Sequence, residues 1–320
     1  MKVYSLLIFT FLLLFGGCQS ISDKQVQQDT KSQLSGTINI VSSRPFYSLA
    51  NQWAEVFMQN HPNVTIEITS VDPDRVMNTI ESKNAQLAMT CMNSLQAKTL
   101  QEMWHVTVMK DGIIPITSAS NPYIEQLLKS GIGKEILVSM VKQKEKITWG
   151  EILKNGSKEP VISFRFNEIN LSDDPKETTM LETGNFTEEQ LNQVLDKVAA
   201  EPYSLSFCSA NHAYHCKREN KRTDLEIIPV DLDENDKIDE KEKFYLQLED
   251  LQRAQYLGIY PDELCREMAI ISKDKPTNQN SIAFIDYILH GGQKIAVDNG
   301  FARISHSKAD NVVEELASNQ

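Results

Sequence analysis

The chain has 320 residues, 41% of them hydrophobic, with a formal net charge of −12. A chain this long buries a sizeable core, and acidic residues spread along it disfavour nucleic acid, which needs a basic face. No repeat period is visible, and no low-complexity tract beyond a polar N-terminal stretch.

The first 17 residues read as a signal peptide. Lys2 gives a positive start, Val3 to Phe15 is an apolar run, and Gly16-Gly17 precede Cys18. The run is shorter than the roughly 20 residues that span a bilayer. A cysteine after two glycines resembles a bacterial lipobox, which implies cleavage before Cys18 and a lipid on its sulfur. An ordinary signal peptide with a chance cysteine is the alternative. Residues 18–35 are polar and read as a tether. About 285 residues follow, enough for two lobes.

Thr37 to Val41 reads as a strand. Ser42-Ser43-Arg44-Pro45 turns the chain into an amphipathic helix, with Phe46, Leu49, Ala50, Trp53, Val56 and Phe57 at helical spacing. Val64 to Thr69 alternates as a second strand, a helix follows around Asp74–Ser82, and Leu87 to Thr90 is a third apolar run. This alternation predicts right-handed crossovers and a parallel sheet. Val106 to Pro122 (VTVMKDGIIPITSASNP) is a long β-type run, broken at Lys110–Gly112 and ending at a helix start, Ser120–Pro122. A long strand with one Gly suits a passage from one lobe to another.

Beyond it, Pro122–Lys129, Lys134–Val141 and Thr187–Ala200 read as helices, and Thr148-Trp149 opens a short one. Val161 to Phe166, Tyr203 to Cys208, Leu225 to Val230 and Met268 to Ser272 read as strands. A helix is expected from about Phe244 to Leu257, another over Asn278–Leu289, and a frayed tail from Val313.

Three groups carry candidate chemistry. The first is residues 231–242, DLDENDKIDEKE, which matches a twelve-residue calcium loop at positions one, three, five, nine and twelve: Asp231, Asp233, Asn235, Asp239 and Glu242. Lys237 stands at position seven, where the ligand is a backbone carbonyl, and Ile238 at eight, where an apolar residue packs. Calcium wants six to eight oxygens, and this spacing converges them. Asp236 replaces the usual Gly at position six, so the turn is strained but open to Asp. The expectation is a structural Ca2+ site; a solvated acidic loop is the alternative. The second group is an anion site. Ser42, Ser43 and Arg44 lie between the first strand and helix, where hydroxyls, N–H groups and a guanidinium suit an oxyanion. Arg165 is placed to face them across a cleft. Plain capping and a structural ion pair are the alternatives. The third is Cys208, His212, His215 and Cys216. Their spacing is no standard zinc site, so a Cys208–Cys216 disulfide or unrelated thiols are the plainer readings. No nucleophile motif and no paired carboxylates point to an enzyme.

Several segments resemble the phosphate-binding proteins of bacterial ABC transporters. They are GTINIVSS with its Trp-bearing helix, NAQLAMTCMNSL, KDGIIPITSASNP, ITWGEIL and, most specifically, ISKDKPTNQNSIAFIDYILHGGQKIAVDNGFARI. The resemblance implies an α/β fold of the two-lobed periplasmic binding protein type (type II). Each lobe would be a mixed, mostly parallel sheet flanked by helices. Lobe 1 would comprise residues 36–112 and 262–320, and lobe 2 residues 113–261. The implied function is an exported, lipid-anchored, monomeric solute binder of the bacterial cell envelope, taking phosphate or another oxyanion to an ABC permease. The implied ligand residues are Ser42, Ser43, Arg44, Ser70, Thr90, Arg165 and Ser172. The loops depart from the family pattern. NEINLSDDPKETT follows Arg165 where the family has Ser-Gly-Thr, Thr90-Cys91-Met92-Asn93 replaces an acidic proton acceptor, and Ser70-Val71-Asp72-Pro73 replaces a Ser-Gly-rich loop. A diverged protein of this fold that binds another solute, or serves as an envelope interaction module, is the rival expectation.

Overall fold

The computed structural model of the chain describes residues 34–92, 101–141, 147–164, 188–218 and 223–318. Strand β1 (Gly36–Ser43), helix α1 (Arg44–Asn60), β2 (Val64–Val71), α2 (Val76–Lys83) and β3 (Leu87–Cys91) follow the expected alternation. Strand β1 pairs in parallel with β2 on one side and β3 on the other, as crossovers of this kind require. Helix α1 buries Phe46, Leu49, Ala50, Trp53 and Phe57 of the expected stripe, with Ala54 buried where Val56 is only half-buried. Trp53 is fully buried, and its indole N–H donates to the Gly292 carbonyl at 2.8 Å. A Cβ at Gly292 would stand 2.9 Å from that nitrogen, so glycine is what lets the ring sit there.

Strand β4 (Trp104–Ser118) is the longest strand among the described residues and runs on through Lys110–Gly112, where a break was expected. The register shifts instead between Thr107 and Met109, a bulge-type irregularity. Up to Gly112, β4 pairs with β9 (Cys265–Ser272), and β10 (Ala302–Arg303) flanks its other side. From Ile113 it pairs with β6 (Ser206–Ser209) and then β7 (Leu225–Ile227). The result is one eight-stranded mixed sheet, β10-β4-β9-β3-β1-β2 with β6 and β7 added to the far half of β4. It serves two lobes, each with its own apolar core. One core gathers residues from Ile38 to Met109 and from Met268 to Leu316; the other gathers Ile113 to Cys265.

Lobe 2 is built from short pieces. They are α3 (Ile124–Ser130), β5 (Ile132–Gly133), α4 (Lys134–Val141), α5 (Trp149–Leu153), α6 (Glu188–Ala200), α7 (Ala210–Arg218), β8 (Val230–Asp231) and α8 (Leu248–Tyr256). Helix α5 carries a full capping box between Thr148 and Glu151. Strands β5 and β8 form a separate two-residue parallel ribbon. Lobe 1 closes with α9 (Gln279–Leu289), α10 (Gln293–Asp298) and α11 (His306–Ala317).

Four further expectations are corrected. Val161–Phe164 forms no extended strand; Ile162 makes one isolated bridge, to Ser204. Leu225–Val230 splits into β7 and β8, since Pro229 cannot donate to a ladder. Phe244 and Tyr245 precede α8 and pack into the lobe 2 core. The tail from Val313 is not frayed, because it completes α11, which buries Ala309 and Leu316.

Candidate functional site

The carboxyl ends of β1, β2 and β3 point at lobe 2. Register sets Ser42 opposite Ser70 on one side and Met89 on the other, so Thr90 lies one step beyond. These ends bring Ser42, Ser43, Ser70 and Thr90 to one edge, the edge at which open α/β sheets bind ligands. Ser42, Ser43 and Thr90 are buried and Ser70 is exposed. Ser43 is the N-cap of the 17-residue α1, yet its side chain makes no capping bond. Among the described residues its buried hydroxyl has no hydrogen-bond partner. Pro45 in the first turn lacks an N–H, which leaves the Arg44 and Phe46 amides as donors there. Arg44 is half-buried, and its Nε meets Asp72 Oδ1 at 2.7 Å. Arg165 and Ser172 lie outside the described residues.

A cavity of about 220 Å³ opens beside this edge, lined from lobe 1 by Arg44, Ser48 and Asn299 and from lobe 2 by Ser209, Asn211 and His212. Its floor is a buried ion pair. Asp111 on β4 and Arg266 on β9 are direct cross-strand partners, and Arg266 donates from Nε (3.1 Å) and Nη2 to Asp111 Oδ2. Ser209 Oγ donates to Asp111 Oδ1 at 2.7 Å. Sequence reasoning passed over Asp111, Arg266 and Ser209. The available signal was a charge inside each of two apolar strand runs, the pattern of a pair that neutralises itself when buried.

The acidic loop follows β8 in lobe 2. Asp231 and Glu242 are 2% and 0% exposed, and carboxylate oxygens of Asp231, Asp233 and Glu242 lie within 4.8 Å of one another. The Asn235 and Asp236 amides donate to Asp231 at 3.3 and 2.8 Å; the Leu232 and Asp239 amides donate to Glu242 at 2.9 and 2.8 Å. Asp236 takes a left-handed φ of 60°, the turn its position demands. The Ile238 amide donates to the Lys129 carbonyl at 3.1 Å, tying the loop to α3. Burial pushes the Asp231 carboxyl up, against its backbone donors, and the nearby Glu242 adds to the rise. Asp239 stands apart from the cluster: Lys237, at 2.7 Å, and then Asn235 hold its carboxyl below the usual range. The Lys237 side chain is thus spent on Asp239.

Cys208 lies on β6 opposite Ile114, and His212 stands in the first turn of α7. No disulfide joins two described cysteines. The His215 and Cys216 side chains lie outside the described ones, and so does the expected Cys208–Cys216 pairing. Cys18 and the leader also fall outside. Among the described residues, no helix is long and apolar enough to cross a membrane.

Comparison with known proteins decides the family. A model described as the PBP superfamily domain matches residues 27–290. The chain belongs to the PBP superfamily. Among solved structures, an ABC-type phosphate transport receptor from Vibrio cholerae aligns with 82% of this chain and 98% of its own, at TM-score 0.54 and 16% identity. PstS from Borrelia burgdorferi covers 85% of this PBP superfamily chain and 100% of its own, at TM-score 0.51 and 14% identity. At such identities the likeness is one of fold: two-lobed periplasmic binding proteins. A curated relative, Phosphate-binding protein PstS 2 of Streptococcus pneumoniae, is 28% identical over 92 residues. That stretch is 29% of this chain, which thus spans about a third of the relative's length.

Proposed function

We propose that this PBP superfamily chain is an exported solute-binding protein, not an enzyme, that takes phosphate or a related oxyanion between its lobes for an ABC permease. The observation that carries the reading is Ser43. A buried hydroxyl without a partner, at the N-terminus of a long helix, leaves an unsatisfied polar group where the helix field favours an anion. The printed names of the pneumococcal relative and the Vibrio cholerae neighbour support phosphate as the first ligand to try. Arg44 would add charge and Ser70 and Thr90 hydroxyls, with Arg165 and Ser172 reaching from lobe 2. Cys18 would anchor the mature monomer to the cell envelope by its lipid. Equilibrium dialysis with labelled phosphate, against sulfate as competitor, tests the ligand. Saturable retention by folded protein supports the reading. No retention at millimolar phosphate removes it and leaves the rival, a diverged binder or interaction module.

The acidic loop supports a second, independent reading, a structural calcium site. Two nearly sealed carboxylates brought together with Asp233 are costly unless a cation neutralises them. The donor set fits a hard cation: Asp231, Glu242, Asn235 and the Lys237 carbonyl, with Asp233 and Asp239 joining once released from the Lys241 and Lys237 ammonium groups. At about 10 mM calcium, with a dissociation constant of order 10⁻⁴ M, the native state gains about 2.7 kcal/mol. Thermal unfolding in calcium and in EDTA checks this. An upward shift that Glu242→Gln abolishes is expected; equal midpoints in both media would remove the metal.

A further inference from the structure

We propose that Asp111, Arg266 and Ser209 form a latch that sets the angle between the lobes, and that the amide of Gln255 is the group the latch works against. The inference holds for any ligand. It goes beyond the proposed anion site, since none of the three is among the residues assigned to that site.

These residues stand at the junction of the two lobes. Strand β4 changes partners between Gly112 and Ile113, from β9 to β6. The apolar cores of the two lobes stop on either side: Met109 and Met268 belong to one, Ile113 and Cys265 to the other. Asp111 and Arg266 occupy the gap, fully buried and in neither core. Both sit on strands that reach lobe 1. Ser209, on β6, belongs to lobe 2, and its hydroxyl donates to Asp111 Oδ1 at 2.7 Å. This contact crosses the junction. It is also directional, because Arg266 takes the other carboxylate oxygen from Nε and Nη2 and so fixes the orientation of Asp111. A rotation of lobe 2 about Gly112 moves Ser209 relative to Asp111 and breaks the bond.

Gln255 marks the opposing tendency. It lies on α8 in lobe 2, its Nε2 only 2.2 Å from where a Cβ of Gly112 would stand. Both its amide oxygen and nitrogen are buried with no hydrogen-bond partner among the described residues. A buried amide left unmade disfavours the arrangement that buries it. The lobe angle seen here thus satisfies Asp111 and leaves Gln255 unsatisfied.

The test measures the distance between spin labels at Glu55, exposed on lobe 1, and Glu125, exposed on lobe 2, in ligand-free protein. The labels go on unnatural ketone residues, so the native cysteines stay. Ser209→Ala should move the distribution away from the wild-type distance and broaden it. Gln255→Met, which removes the unsatisfied amide at similar volume, should leave the mean in place and narrow it. An S209A distribution identical to wild type overturns the latch, and so does a Q255M distribution as broad as that of S209A. If S209A loses its cooperative thermal transition, S209C, which keeps the side-chain volume and replaces the hydroxyl by a weak donor, decides by the same criterion. Because no phosphate is present, failure here leaves the anion site untouched, and failure to bind phosphate leaves the latch untouched.

Discussion

The two lobes satisfy their backbones in different ways. Lobe 1 has long strands, with eight residues in β1, β2 and β9, so ladders take up the main-chain groups and its core is left to apolar side chains such as Ile38, Trp53, Met89 and Phe284. Lobe 2 has strands of two to four residues beyond β4. Its backbone groups outnumber its ladders, and side-chain hydroxyls fill the gap. Tyr260 donates to the Ile113 carbonyl at 2.5 Å, Tyr214 to Tyr245 O at 2.9 Å and Ser204 to Val198 O at 2.8 Å. The Val230 and Phe164 amides donate to Tyr245 and Ser206 at 3.0 and 2.9 Å. Burial raises the Tyr245 and Tyr260 phenols well above their ordinary range, so both stay protonated. The lesson is that short strands are viable where buried hydroxyls replace missing ladder partners.

That contrast breaks most visibly at Trp53. Replacing it with Ala should cost about 3–5 kcal/mol by urea unfolding, because an indole volume and its bond to Gly292 are lost together. Tyr260→Phe keeps the ring and removes only the hydroxyl and its bond to the Ile113 carbonyl, and should cost about 0.5–1.5 kcal/mol by the same measurement. A Y260F cost near zero would mean that lobe 2 does not depend on its hydroxyls, and the contrast would fail.

The smallest effect sharpens lobe 1 at its surface. His290 ties α9 to α11, meeting Asp286 at 2.7 Å and Asp310 at 3.1 Å. Partial burial pulls its pKa down, but the bonds to Asp310 and Asp286 outweigh that and leave it raised. A raised folded pKa gives stability that is full below the unfolded value near 6.5 and lost as pH climbs through the folded value. Wild type should therefore exceed His290→Gln in thermal midpoint at about pH 6 and lose that advantage by about pH 9. Screening at this exposed site keeps the difference small. An advantage that grows with pH would reverse the sign and sink the assignment.

The same contrast explains what could be read from the sequence. In lobe 1 the main elements are long enough to show their period: the α1 stripe and the alternation of β2 are visible in eight to seventeen residues. In lobe 2, α7 starts where β6 ends, leaving no room for a turn signal, and its His and Cys residues drew attention to metal. Pro229 divides a run that looks continuous, and Phe244-Tyr245 looks helical but packs as loop. Tail helix α11 was the avoidable loss, since Ala309, Val312, Val313 and Leu316 have helical spacing. The position of Ser43 and Arg44 between β1 and α1 was legible because a strand, a turn and a helix start follow one another directly. Asp111 and Arg266 were not, being 155 residues apart and joined only once β4 pairs with β9. The acidic loop was legible because its geometry is local, down to the left-handed turn at Asp236.

The central claim, an oxyanion held at the Ser43 end of α1, is tested most directly by titrating phosphate into wild type and Ser43→Ala in a calorimeter. The account predicts saturable heat for wild type and affinity weaker by about tenfold for S43A, the loss of one hydrogen bond to a charged ligand. Equal affinities would place the anion elsewhere, and a folded wild type that gives no heat at millimolar phosphate would contradict the claim outright.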